Sequence, residues 1–87
     1  MSITVQLTYD MAREVGSPTI QVSGAETVND VLRLTRQRFS QDEESYANLT
    51  RVAALAVNGV LISYRRGKKT KVQDGDRVSF VKAAAGG

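Results

Sequence analysis

Thr27-Val28-Asn29-Asp30-Val31-Leu32-Arg33-Leu34-Thr35-Arg36-Gln37-Arg38-Phe39 is the stretch where the sequence changes its period. Val28, Val31, Leu32, Thr35 and Phe39 fall at helical spacing, with Arg33, Arg36 and Gln37 largely on the opposite face. The stretch therefore predicts one amphipathic helix from Val28 to Phe39. Thr27 can accept the first free backbone N–H bonds as N-cap. Asp30, three residues later, completes a box-like start whose negative charge suits the helix dipole.

The segments on either side read as strands. Upstream, Ile3, Val5, Leu7 and Tyr9 alternate with Thr4, Gln6 and Thr8, the pattern of a half-buried strand, and Thr19 to Val22 reads as its hairpin partner. Between them, Asp10 to Pro18 holds Gly16 and the only proline, which predicts a longer loop. Downstream, Ser40 to Thr50, with Asp42, Glu43 and Glu44, leaves a short second helical turn open, its periodicity being too brief to decide, and reads first as a connecting segment. Val52 to Val57 then forms a strand ending at Asn58-Gly59, a hairpin turn that needs positive φ, and Val60 to Tyr64 resumes as its partner. Arg65 to Lys71 is basic and contains Gly67. It leads to Val72, the turn Asp74-Gly75-Asp76 and a final strand from Arg77 to Val81.

Strand, strand, helix, strand, short strand, strand is an α+β order, with one main helix packed across one face of a four- to five-stranded sheet. Right-handed crossover places the last strand beside the first, at the centre of a mixed sheet. This is a β-grasp, ubiquitin-like arrangement. Residues 1–81 form the domain, and 82–87 are expected to be a flexible tail ending in Gly-Gly.

Eighty-seven residues support one core. With 41% hydrophobic and 24% charged residues, neither disorder nor a membrane span is suggested. The first nine residues lack the charged start and apolar run of a signal peptide, so a cytoplasmic location is expected. There is no His and no Cys. Thiol nucleophiles, Cys/His zinc sites, Ser-His-Asp triads and His general bases are thereby excluded, and a metal site is not expected.

Three motifs carry a resemblance: Val57-Asn58-Gly59, then Asp74-Gly75-Asp76 followed by Val78, and Ala85-Gly86-Gly87 at the C-terminus. Together, in this order and spacing, they resemble the MoaD/ThiS family of ubiquitin-like sulfur carriers, which includes the molybdopterin synthase small subunit and the thiamine sulfur carrier. The resemblance implies that an E1-like partner uses Mg and ATP to adenylate the Gly87 carboxylate, which then accepts sulfur as a thiocarboxylate. On that reading the chain supplies Gly86 and Gly87 as the reacting end and binds no cofactor, while catalysis belongs to its partners. Two residues without a Cβ let an extended tail enter a narrow channel. A carrier of this kind needs no thiol of its own.

Family tails often read Phe-Pro-Pro-Val-Ala/Ser-Gly-Gly, where this chain has Val81-Lys82-Ala83-Ala84-Ala85-Gly86-Gly87. The missing prolines remove stiffness, and Lys82 adds a positive charge near the reacting end. If Ile3, Val5, Leu7, Val78 and Phe80 face the helix, then Thr8, Ala56, Ser79 and Val81 lie on the open sheet face, by which the family docks onto partner enzymes. Val81 takes the place of the family's exposed Phe, and Val81, Lys82, Ala56 and Thr8 are the docking candidates. Tyr9, Phe39, Tyr46 and Phe80 read as core or core-edge residues.

Arg65, Arg66, Lys68, Lys69 and Lys71 supply much of the net charge of +3. The simplest reading is a solvated hairpin, ahead of docking to an acidic protein. Nucleic acid comes last, because only Tyr64 among the aromatics lies nearby. Three functions remain open. The first is a sulfur carrier, with molybdopterin synthesis and the molybdopterin synthase large subunit slightly ahead of thiamine, cysteine or another metabolite. The others are a ubiquitin-related modifier joined to target lysines, and an interaction module with a silent tail.

Overall fold

The alternating segments assemble into one five-stranded sheet in the order β2-β1-β5-β3-β4. The computed structural model describes residues 2–39, 44, 47 and 53–82, and only the backbone of Lys82. β1 (Ile3–Gln6) pairs antiparallel with β2 (Thr19–Val22) and parallel with β5 (Arg77–Lys82). β5 also pairs antiparallel with β3 (Ala53–Val57), which turns through Asn58 and Gly59 into β4 (Val60–Leu61). Both turn residues have positive φ, 50° and 86°, as that two-residue hairpin requires. The last strand therefore lies beside the first and at the centre, as the crossover rule predicts.

α2 (Val28–Arg36) covers one face. Its Val28 and Val31 share a buried cluster with Ile3, Val5, Leu7, Val57, Val78 and Phe80. The expected cap is present in full: the Thr27 hydroxyl accepts from Asp30 N at 3.3 Å, and the Asp30 carboxylate accepts from Thr27 N at 3.2 Å. Burial pins the strand registers as well. A one-residue slip of β5 would carry Val78 and Phe80 out of the core, at a cost of about 1.5–3 kcal/mol for each side chain.

Four expectations about local structure need correction. First, the segment after β1 is not a plain loop, because α1 (Tyr9–Val15) occupies most of it. The Thr8 hydroxyl accepts from Met11 N, Gly16 closes the helix at φ 88°, and Met11 is completely buried. Second, Tyr9 belongs to the first turn of α1 rather than to β1, and it is 77% exposed instead of lying at the core edge. Third, α2 ends at Arg36, not Phe39. The amides of Arg38 and Phe39 reach back only three residues, to Thr35 O and Arg36 O, and this tighter turn still delivers Phe39 to the core.

Fourth, β4 stops at Leu61. Ile62–Tyr64 and Gly67–Lys69 form short 3₁₀ turns, Ile62 packs against the core, and Tyr64 points outward. Ile62-Ser63-Tyr64 alternates as a strand would. The segment nevertheless leaves the sheet edge to meet the start of α2, where Val28 N donates to Thr70 O at 2.9 Å. Of residues 40–52, only Glu44 and Ala47 are described, and both are helical, in line with the short helical turn left open there rather than with a plain connecting segment. Tyr46 lies outside the described residues.

Candidate functional site

β5 is held on both edges. The pairs Thr4↔Arg77, Val5↔Val78 and Gln6↔Ser79 secure one side, and five pairs from Val57↔Val78 to Ala53↔Lys82 secure the other. The two ladders overlap at Val78 and Ser79, while Phe80, Val81 and Lys82 pair with β3 alone, so the β3 ladder fixes the end of the strand. Residues 83–87, with Gly86 and Gly87, lie outside the described residues.

Polar groups secure the opposite end of β5. Asn58 Nδ2 donates to Asp76 Oδ1 at 3.0 Å, Arg77 N donates to Asn58 Oδ1 at 2.9 Å, and Asn58 N donates to Arg77 O at 2.8 Å. Asp76 also accepts from Gln73 N at 2.8 Å, while Asp74 accepts from Ser2 N. Gly75 N donates to Ser2 O at 2.9 Å with Gly75 at φ 88°. The two turn motifs therefore form one clasp joining the β3–β4 hairpin, the start of β5 and the start of β1. Sequence reading assigned each motif a local role and missed this union. No spacing rule links Asn58 to Asp76.

The face of the sheet turned away from α2 carries Thr4 and Gln6 from β1, Arg77, Ser79 and Val81 from β5, and Ala54 and Ala56 from β3, as the register dictates. Among the docking candidates, Val81 is 44% exposed and sits opposite Ala54. Ala56 lies on the same face opposite Ser79 but is only 4% exposed, so it provides a floor rather than contact area. Thr8 follows the last β1–β5 pair, with its hydroxyl committed to Met11 N. Lys82 continues the ladder opposite Ala53. Ala54, beside Val81, was not among the sequence candidates, although strand alternation from Ala56 places it on this face.

Among the described residues, no group of His, Cys, Asp and Glu could hold a metal ion, and no helix is long and apolar enough to cross a membrane. Val81, with Ala54 opposite it, gives an accessible apolar surface beside the end of β5. The arrangement is that of a ubiquitin-like β-grasp protein.

The chain belongs to the ThiS family, whose profile matches residues 5–87, Gly86 and Gly87 included. Among curated proteins, no sequence matches at a significant level. The fold is similar to a chain of the BexX/CysO complex of Amycolatopsis orientalis, with 23% identity and a TM-score of 0.78 over 98% of this chain and 99% of that one. It is similar to small archaeal modifier protein 1 of Methanosarcina acetivorans, with 23% identity and a TM-score of 0.76 over 99% and 96%. It is also similar to a chain of the complex of subunits 1 and 2 of the molybdopterin-converting factor from Helicobacter pylori 26695, with 21% identity and a TM-score of 0.61 over the full length of both.

Proposed function

We propose that this chain is a cytoplasmic sulfur carrier and not itself an enzyme. The Gly87 carboxylate attacks the α-phosphate of Mg-ATP held by an E1-like partner, and pyrophosphate leaves. Sulfide-level sulfur then attacks the acyl carbon of the adenylate, AMP departs, and the product is a terminal thiocarboxylate. Molybdopterin formation is the favoured destination, with the large subunit of the synthase as acceptor, ahead of thiamine, cysteine or another metabolite. The observation that carries this reading is the Gly86-Gly87 end that follows β5 in sequence, the central strand paired with β1 and β3, in a chain matched through Gly87 by the ThiS family.

On this reading Val81 with Ala54 gives the partner an apolar contact beside the end of β5. A carboxylate is a poor electrophile until adenylated, so the partner supplies the catalysis and this chain supplies the reacting atom. ATP–pyrophosphate exchange with the activating enzyme of the source organism tests the reading. Deletion of Gly87 abolishes exchange while circular dichroism and the melting temperature stay unchanged. Exchange retained after that deletion refutes the carrier function, and lysine-linked adducts of the intact chain in place of a thiocarboxylate support a protein modifier.

A further inference from the structure

The seven residues Arg65 to Lys71 hold five of the twelve basic side chains and no acid. The other seven bases are outnumbered by nine acids, so positive charge is concentrated here rather than spread over the molecule. All five of these side chains are exposed, and none forms an ion pair with a described residue. Gly67, at φ 61°, lets the segment bend into its second 3₁₀ turn. As a result Arg65, Arg66, Lys69, Thr70 and Lys71 line a concave groove of about 570 Å³.

The groove is anchored. Thr70 is buried, its hydroxyl accepts from Arg66 N at 3.2 Å, its amide donates to Gly67 O at 3.0 Å, and its carbonyl accepts from Val28 N. Lys71 bridges to Thr27, and Val72 N donates to Glu26 O at 3.0 Å. Four cations are thus displayed around one hollow by a backbone tied to the start of α2, and their mutual repulsion is relieved only by bringing in negative charge.

We infer that this groove docks an acidic segment of a protein partner, a short run of Asp and Glu side chains. Arg65 and Arg66 can each take a carboxylate with both arms of the guanidinium, and the lysines act as point charges around them. A nucleic-acid strand fits less well. Among the described residues no aromatic side chain lines the groove for base stacking, and outside this segment the sequence holds more acids than bases, which disfavours a long phosphate backbone. The groove lies beside α2, whereas Val81 and Ala54 occupy the opposite face of the sheet, so it is a contact separate from the one beside the tail. The chemistry of the groove does not rest on the carrier reading.

The test is a nitrogen-15 NMR titration of the full chain with a glutamate-rich dodecapeptide and, separately, with a dodecamer of uridylate RNA. The peptide is expected to shift the amides of residues 65–71, with binding that weakens steeply as salt shortens the Debye length from about 14 to 6 Å. Replacing Arg65, Arg66 and Lys69 together by Gln is expected to lower its affinity at least about fivefold, since exposed charge pairs contribute modestly each. Those side chains are exposed, so the spectrum outside the segment serves as the check on folding. Unshifted amides at 65–71, affinity unchanged in the Gln variant, or tighter binding of the RNA at this segment overturns the inference. None of these outcomes depends on whether Gly87 is activated.

Discussion

Replacing Asn58 by alanine removes the side chain that joins the hairpin to the start of β5. Two side-chain hydrogen bonds disappear, from Asn58 Nδ2 to Asp76 and from Arg77 N to Asn58 Oδ1. At this exposed position each is expected near the lower part of the ordinary range, together about 1–2 kcal/mol. Asn58 also sits at φ 50°, in the left-handed region that asparagine tolerates and alanine resists, which adds roughly 1 kcal/mol. A total of about 2–3 kcal/mol lowers the melting temperature by roughly 8–20 °C for a domain of this size. Asn58→Gly separates the two effects, since it loses the bonds but relieves the backbone. Both variants are to be measured by thermal unfolding and by urea titration. Alanine is expected to be the more destabilised of the two, with an unchanged urea slope. An Asn58→Ala midpoint within about 2 °C of the wild type, less than 0.5 kcal/mol, would show that the clasp adds nothing to the fold.

Thr35 is wholly buried, and its hydroxyl finds no hydrogen-bond partner among the described residues. Thr35→Val is expected to raise stability by about 1 kcal/mol in urea unfolding, the gain from removing an unsatisfied polar group. Asp30 accepts from Glu26 N and Thr27 N and lies near Arg33, and these contacts hold its pKa below the ordinary carboxylate range. Its stabilising effect is therefore complete above the unfolded carboxylate value of about 4 and fades as pH falls through the lower folded value. Asp30→Asn should accordingly flatten the acid limb of a stability-versus-pH curve, with the gap to wild type closing at low pH. Val81→Asp should leave the melting temperature within about 2 °C, as expected for an exposed position, while raising the KM for this chain in ATP–pyrophosphate exchange at least about tenfold.

The long-range plan was legible because the period changes were strong. Thr27 with Asp30 announced α2, and Asn58-Gly59 announced the hairpin. The crossover rule then placed β5 at the centre. What escaped was short or non-local. α1 spans seven residues, too few to repeat a period, and its signals were the Thr8 cap and the trio Met11, Ala12 and Val15. Tyr9 followed the strand alternation on paper, but the cap turned it outward. The departure of Ile62 from the sheet edge depends on the backbone needs of α2, which no local pattern encodes. At the site, Val81 was found by alternation. Ala56 was placed on the correct face, yet its neighbours cover a side chain too small to emerge. Gly86 and Gly87, the proposed reacting end, were read from residue type and position alone.

Intact-mass measurement of the protein purified from its native host tests the central proposal most directly. A fraction heavier by the exchange of one carboxyl oxygen for sulfur, localised to Gly87 by fragmentation and absent when the activating enzyme is removed, is the predicted result. A tail that carries only an unmodified carboxylate while the activating enzyme and a sulfur source are present would contradict it.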